Sequence, residues 1–387
     1  MPASWSRDLR SALPPPVTGL LDRAKGLSDR LLSSESFQAR AAAFPLTRII
    51  ARRRARDLFD LCAGFVYSQT LLACVELRLF DVLLDRPLSL HQLAARLQLN
   101  REACTRLLSA AVALRLVEMR GEDRYGLGPL GASLARNPSL TAMIEHHRHL
   151  YEDMRDPVAL LRGDGGETQL SRYWPYADAP EPAALSSDQV SEYSSLMALS
   201  QPLVAEEVLD AYAVGQHRCI LDVGGGEGAF LQKAAERAPK LQLMLFDLPA
   251  VSERATATFA RLGLQGRAAA FGGNFLSQPL PKGADLISLV RILLDHDDSS
   301  VLRLLKACRE ALCQDGTLLI AEPMVEPGDR IASAYFNMYL LAMGRGRPRT
   351  TTHLSKLLNA AGFEDITFSK GRRVLRTGIA VARMRSA

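Results

Sequence analysis

An α/β chain is expected: a Rossmann-like, mostly parallel sheet of seven strands, preceded by an all-α/winged-helix domain. Three observations predict this. In the C-terminal half, short apolar strands near 218–223, 241–246, 267–271, 285–291, 317–321, 364–369 and 376–383 alternate with helices near 228–237, 250–262, 299–312 and 350–361. Alternation of that kind builds a parallel sheet with helices on both faces. Between the first of these strands and its helix lies Leu221-Asp222-Val223-Gly224-Gly225-Gly226-Glu227-Gly228, the strand–glycine turn–helix opening of a nucleotide-binding βαβ unit. Upstream, residues 89–130 read as two short helices followed by a hairpin.

The N-terminal part is taken in order. Residues 1–52 carry Pro14-Pro15-Pro16 and scattered charge, and are expected to form a loosely ordered basic extension. Residues 1–60 hold 11 Lys and Arg against 6 Asp and Glu, an excess equal to the +5 of the whole chain. Arg48, Arg52, Arg53, Arg54 and Arg56 form either a solvated arm or a patch for anionic lipid head groups, with nucleic acid a distant third. A helical and winged-helix domain is expected over 53–185. Asp57 to Leu84 is helical in pattern and apolar nearly all round, with Leu58, Leu61, Cys62 and Phe65 on one face. Such a helix must be covered on every side, and a second copy of the chain is the expected cover, hence a homodimer. Ser89 is placed to cap a helix through Leu97, Arg101 to Leu114 forms a second helix, and 116–119 and 124–127 form the wing. The second helix would have to read base edges if the module bound DNA. Arg101, Glu102, Arg106 and Arg115 are too sparse and mixed in sign for that, so no nucleic-acid partner is expected.

Composition bounds the rest. With 387 residues, 48% of them hydrophobic and 23% charged, the chain reads as a soluble globular protein of about two domains. The apolar run Leu61 to Val75 is interrupted by Ser68, Gln69 and Thr70 and falls short of the ~20 residues that span a bilayer. Met1 to Leu20 lacks the apolar core of a signal peptide. Cysteines 62, 74, 104, 219, 308 and 313 show no metal spacing and read as buried thiols of a cytoplasmic protein. No metal site is expected; Asp295, Asp297 and Asp298 lie close in sequence but suit capping of the following helix.

Within 186–387, glycines in the Asp222–Gly228 loop let the backbone approach a ligand. Asp222 and Glu227 make the loop acidic, which suits a cationic ligand better than a pyrophosphate. The second strand ends in Phe246-Asp247-Leu248-Pro249, with Asp247 19 residues past Gly228, a spacing at which an acid commonly takes a ribose diol. The third unit ends in Gly272-Gly273-Asn274-Phe275, and the fourth strand runs into Leu294-Asp295-His296-Asp297-Asp298.

In that order these motifs resemble the S-adenosylmethionine (SAM) site of small-molecule O-methyltransferases, over about residues 55–387. The resemblance implies a class I SAM methyltransferase domain behind a dimerisation domain. It places Asp222 and the Gly224/Gly226/Gly228 loop at the methionine part of SAM, Asp247 and Leu248 at the ribose, Asn274 and Phe275 at the adenine, and Arg291 at the pocket edge. Many relatives have Asp where Asn274 stands; an amide oxygen still accepts from the adenine amine.

The catalytic set departs from the phenol-type pattern. Plant-type relatives have His-Asp-Trp after the fourth strand, and that His is the general base; here the match is Leu294-Asp295-His296, so the base position is leucine. Near Arg347-Pro348-Arg349 a second family carboxylate is replaced by proline. Glu322, in Ala321-Glu322-Pro323, matches a family acid. His296, Glu322 and Asp295 are therefore the catalytic residues expected, with His296 displaced by two positions as base. Two alternatives stand beside it: His146, His147 and His149 reach the pocket instead of forming a solvated helix face, or no strong base exists and proximity drives transfer. Together with Phe65-Val66-Tyr67-Ser68-Gln69 and Ala342-Met343-Gly344-Arg345-Gly346-Arg347, these departures resemble the bacterial carotenoid branch of the family, whose members methylate the tertiary hydroxyl of acyclic carotenoids in purple phototrophs. That implies a hydrophobic polyene substrate and, for the arginine cluster, peripheral contact with a membrane. Phe336, Met338, Tyr339, Leu340, Leu341 and Met343, on an inserted helix expected from Ala332 to Met343, suit either tunnel lining or plain core packing.

Overall fold

Ser89 starts the first winged-helix element through a reciprocal capping box: its hydroxyl accepts from the Gln92 N–H while the Gln92 side chain accepts from the Ser89 N–H. Helix Leu90–Arg96 follows, then helix Arg101–Ala113, capped by Asn100 on the Ala103 N–H. Strands β1 (Leu88–Ser89), β2 (Val117–Met119) and β3 (Arg124–Leu127) form a small antiparallel sheet in the order β1-β3-β2. Leu93, Leu97, Cys104, Leu108, Ala111 and Leu116 fill the core beneath them.

The computed structural model describes residues 15–173, 201–326, 328–371 and 377–384. The chain divides into two compact units, Met1–Asn137 and Pro138–Ala387. The boundary expected at 185/186 lies outside the described residues. Contacts separate at 137/138 instead, because helix Pro138–Asp153 packs on helix Arg330–Ala342 of the second unit.

Three expectations from the sequence are corrected. The stretch expected as a loose extension is helical from Pro15: helices Pro15–Ser33, Glu35–Ala43 and Pro45–Glu76 follow one another, and the last runs through residue 52 unbroken. The proline at its first turn, whose missing N–H would be unpaired there anyway, starts it. Its 32 residues extend roughly 48 Å. By length and composition it is long and apolar enough to cross a membrane, which the run Leu61–Val75 alone was not. Its last turns are packed into the unit through Leu72, Cys74 and Val75, whereas Leu46, Ile49, Leu61 and Phe65 are each more than 70% exposed. Cys62 is exposed and Cys219 and Cys313 are only partly covered, so three of the six thiols are not buried.

In the second unit, β4 (Cys219–Val223), β5 (Gln242–Asp247), β6 (Ala268–Gly272), β7 (Leu286–Val290), β8 (Thr317–Glu322), β9 (Phe363–Lys370) and β10 (Gly378–Met384) form one sheet ordered β6-β5-β4-β7-β8-β10-β9. The first five are parallel and β10 is antiparallel to both neighbours. Every residue of β7 and β8 is buried, as helices on both faces require. Leu304, Leu305, Cys308, Leu354 and Leu358 cover one face; Val208, Phe230, Leu231, Ala234 and Phe259 cover the other. At about 1.5–3 kcal/mol for each large apolar side chain, these two layers are the main favourable term in the fold. From β4 the chain moves outward to β5 and β6, then returns to β7 on the other side of β4. That reversal opens a crevice beyond the carboxyl ends of β4 and β7, where open α/β sheets bind ligands.

Candidate active site

The glycine loop stands at that reversal. Gly224, Gly226 and Gly228 all have positive φ, a region open to glycine at little cost. Two of them are also demanded by packing: a Cβ on Gly224 would lie 2.4 Å from Ile292 Cδ1, and one on Gly228 2.7 Å from Phe259 Cε1. Gly226 alone faces open space, with nothing within 4 Å of where its Cβ would be. Asp247 is tied to the loop, its Oδ2 accepting from the Gly226 N–H at 2.8 Å and its Oδ1 from the Leu248 N–H at 2.7 Å. The carboxylate and the open glycine are thus one rigid corner.

Asp222 is buried. Its Oδ1 accepts from Ser288 Oγ at 2.6 Å, while its Oδ2 has no hydrogen-bond partner among the described residues. Burial raises its carboxyl to about 7, Ser288 partly opposing and the Asp247 charge reinforcing the shift. Burial likewise raises Asp247 to about 6, against the pull of its two backbone donors. A buried carboxylate oxygen without a partner, in the same loop as an uncovered glycine, fits a cationic ligand. Glu227 does not add to this, because it pairs with Arg254.

The adenine-side residues are set by local bonds. Asn274 Oδ1 accepts from the Leu276 N–H at 2.9 Å, which leaves one lone pair on that oxygen, and the Asn274 N–H donates to Gln278 Oε1. Phe275 meets the His296 ring edge-on, centroids 5.4 Å apart. Arg291 follows β7 in a left-handed conformation, φ 60°, its N–H held by the Ala321 carbonyl at 2.7 Å.

The segment that carries Asp295 and His296, two of the expected catalytic residues, is clamped by a residue that sequence reasoning passed over. Arg349, 2% exposed, donates through Nη1 to the Leu293 carbonyl and through Nη2 to the His296 carbonyl, both at 2.6 Å, and through Nε to Asp298 Oδ1 at 2.9 Å. Glu322 is fully buried and its Oε2 accepts from the Leu294 N–H at 3.0 Å. Burial raises Glu322 to about 7, the Arg349 charge opposing. Burial also raises Asp295 to about 7, with Arg291 opposing. His296 is lowered to about 4 by burial and by the Arg349 charge, which makes its imidazole a weak base. Asp297 caps helix Asp298–Ala311 on the Ser300 N–H, and Asp298 pairs with Arg347, Arg349 and His353. No group of acidic, His or Cys side chains able to hold a metal ion occurs among the described residues.

Leu294, at the position of the phenol-type base, is buried in an apolar cluster with Leu150, Leu170, Leu340 and Met343. Leu340 and Met343 are core, which bears out packing for them; Phe336, Met338 and Tyr339 are only half-buried and Leu341 is exposed. The histidines of helix Pro138–Asp153 are not a solvated face: His146 is buried and bonds Tyr339 Oη at 2.9 Å, and His147 bonds Tyr335 Oη at 2.8 Å. Tyr335 and Tyr339 stack, 5.6 Å between centroids. A sequence signal for Ser288 and Arg349 was present only as a polar residue within an apolar strand and a basic residue beside Pro348. Neither specifies a partner without the fold.

An O-methyltransferase domain model matches residues 153–364, and an O-methyltransferase dimerisation domain model matches 59–137. The chain belongs to the O-methyltransferase family. It is 42% identical to a demethylspheroidene O-methyltransferase of Cereibacter sphaeroides over 94% of this chain and 96% of that one, and 40% identical to one of Rhodobacter capsulatus over 87% and 84%. Among solved structures, human N-acetylserotonin methyltransferase in complex with SAM superposes with a TM-score of 0.72 at 26% identity, over 86% of this chain and 98% of that one. This O-methyltransferase is a SAM-dependent enzyme with SAM as its cofactor. Its carotenoid-pathway relatives agree with the branch that the Leu294 departure indicated.

Proposed function

We propose that this O-methyltransferase transfers the methyl group of SAM to the tertiary hydroxyl of an acyclic 1-hydroxy carotenoid. One observation carries the reading beyond the family: the position of the phenol-type base is Leu294, buried in an apolar cluster with the inserted helix. A tertiary alcohol is far less acidic than a phenol, so a base suited to phenols gives little advantage there, whereas an apolar wall suits a polyene. The names of the two carotenoid-pathway relatives support the same acceptor class.

In this reading Asp222, Gly224, Gly226, Gly228, Asp247, Leu248, Asn274, Phe275 and Arg291 hold SAM. The unpartnered Asp222 Oδ2 faces its cationic part, the Asp247 carboxylate takes the ribose diol, and Phe275 flanks the adenine. SAM supplies an electrophilic methyl on a sulfonium, and the protein supplies position. Glu322 orients the 293–296 segment through the Leu294 N–H, and Asp295 and Arg291 set the charge at the pocket edge. His296, lowered to about 4, acts as a ring against Phe275 and not as the base.

The dimerisation domain supports a homodimer, with Leu58, Phe59, Leu61, Phe65 and Val66 as apolar surface for a second copy to cover. Upstream of that domain Leu46, Ile49 and Ile50 are exposed among Arg48, Arg52, Arg53, Arg54 and Arg56, all exposed as well. Apolar side chains interleaved with arginines suit peripheral contact with an anionic membrane, where the substrate dissolves, reached from the cytoplasm. Co-sedimentation with anionic vesicles should be lost when these five arginines become glutamine, and undiminished binding would remove the membrane contact from the reading.

Labelled SAM offered with detergent-solubilised 1-hydroxy carotenoids, simple catechols and aromatic polyketide hydroxyls tests the acceptor. Label in the carotenoid is the expected result. Label confined to the phenols would overturn the carotenoid assignment.

A further inference from the structure

With Leu294 in the base position, the hydroxyl proton needs an acceptor other than a phenol-type histidine there. In the second unit, the His–Tyr pairs His146–Tyr339 and His147–Tyr335 link helices Pro138–Asp153 and Arg330–Ala342, and in the second pair a backbone carbonyl fixes the tautomer. His147 Nδ1 lies 2.6 Å from the Met143 carbonyl, one turn back on helix Pro138–Asp153. A carbonyl only accepts, so Nδ1 carries the hydrogen and Nε2 of the neutral ring is the acceptor. Nε2 is 2.8 Å from Tyr335 Oη, so the tyrosine donates to it. Helix Arg330–Ala342 brings Tyr335 there, and its ring packs against the cluster that contains Leu294. Leu294 lies four residues beyond the carboxyl end of β7, so the tyrosine stands at the same end of the sheet as the cofactor loop.

We propose that Tyr335 and His147 form a proton relay for the acceptor hydroxyl. The Tyr335 proton is committed to His147, which leaves Oη lone pairs to accept the hydroxyl hydrogen of a bound alcohol. As the ether bond forms, the alcohol proton passes to Tyr335 Oη and the tyrosine's own proton passes to His147 Nε2. The tyrosine ends neutral and unchanged, and His147 ends as an imidazolium whose Nδ1–H still faces the Met143 carbonyl. The positive charge lost when the methyl donor becomes neutral reappears on this ring, so charge is conserved. His147 is half-buried, which gives the extra proton a route to solvent. Burial raises the Tyr335 hydroxyl well above its ordinary range, so it remains protonated until a hydroxyl is presented to it. The relay is matched to an alcohol: it requires proton loss concerted with transfer and no preformed alkoxide.

The inference rests on O-methylation, not on the identity of the alcohol. The test uses the full chain with Tyr335→Phe, His147→Gln and the double variant. Three quantities are read: SAM affinity by calorimetry, kcat and KM on whichever hydroxyl the wild type methylates, and the His147 tautomer by nitrogen NMR of the protein without ligands. General acid–base groups contribute about 100-fold or more, so kcat should fall by about that factor in each single variant, no further in the double, with SAM affinity changed less than about threefold. His147 should be in the Nδ1–H tautomer, and its nitrogen signals should move in Tyr335→Phe. A kcat within about threefold of the wild type in Tyr335→Phe, multiplicative losses in the double, or an Nε2–H tautomer would overturn the relay. If His147→Gln does not fold, Tyr335→Phe and the tautomer decide. Because the relay is read on any hydroxyl the wild type methylates, an acceptor other than a carotenoid overturns that assignment and not this one.

Discussion

Arg349→Met is the most demanding perturbation for the site, because it removes the charge and the donors while retaining the aliphatic stem. Four interactions disappear: the buried Leu293 carbonyl, the partly buried His296 carbonyl and Asp298 Oδ1 each lose a donor, as does the Arg347 carbonyl at 3.5 Å. Each lost hydrogen bond from a charged donor to a carbonyl costs about 1.5–3 kcal/mol, although the Leu293 carbonyl keeps the His296 N–H as a second partner. Asp298, 28% exposed and still served by Arg347 and His353, loses less than about 1 kcal/mol. The expected total is about 3–5 kcal/mol, chiefly from the two short carbonyl hydrogen bonds. In a unit of this size that lowers Tm by roughly 10 °C. Glu322 loses the cation that opposes its burial and is driven further toward its protonated form, and the 293–298 segment loses its clamp. Urea denaturation followed by far-UV circular dichroism measures the stability, and transfer from labelled SAM measures activity. Asp298→Asn should cost less in the Arg349→Met background than in the wild type, since the pair is already broken. A loss under about 1 kcal/mol with unchanged activity would refute the view that Arg349 organises this segment.

Two further outcomes follow from the cofactor corner. Asp222 is raised to about 7 by burial, so between its ordinary value and about 7 the folded chain retains a proton that the unfolded chain gives up. Its contribution to stability is full below that window and is lost as pH rises through it. Relative to the wild type, Asp222→Asn should therefore gain by up to about 1.4 kcal/mol per pH unit between about 4 and 7 in urea titrations, while binding the cationic cofactor more weakly; a difference that falls with pH would refute the assigned shift. Gly226→Ala meets no atom within 4 Å but must adopt φ 59°, so it should cost only about 1 kcal/mol of stability while weakening SAM at least about tenfold by filling the open corner. Unchanged SAM affinity in calorimetry would move the cofactor away from that glycine.

The pattern of apolar strands and amphipathic helices specifies the sheet by itself, because burial on both faces leaves runs such as Leu286–Val290 with almost no polar residue. The glycine loop and Asp247 were legible for a similar reason: a turn of positive φ and an acid at the end of the next strand have local signatures. Ser89 and Asp297 were legible as caps through sequence neighbours alone. Helix Glu35–Ala43 and the first turns of Pro45–Glu76 escaped because their apolar and basic residues are mixed around the axis, so no stripe marks a buried face. Leu294 announced what the site lacks, yet not what surrounds it; its cluster gathers residues from 150 to 343. Arg349, Tyr335 and His147 act through partners far along the chain, up to 188 residues away for Tyr335 and His147. Long-range contacts of that kind leave no periodicity, and only the folded sheet with its inserted helix decides them.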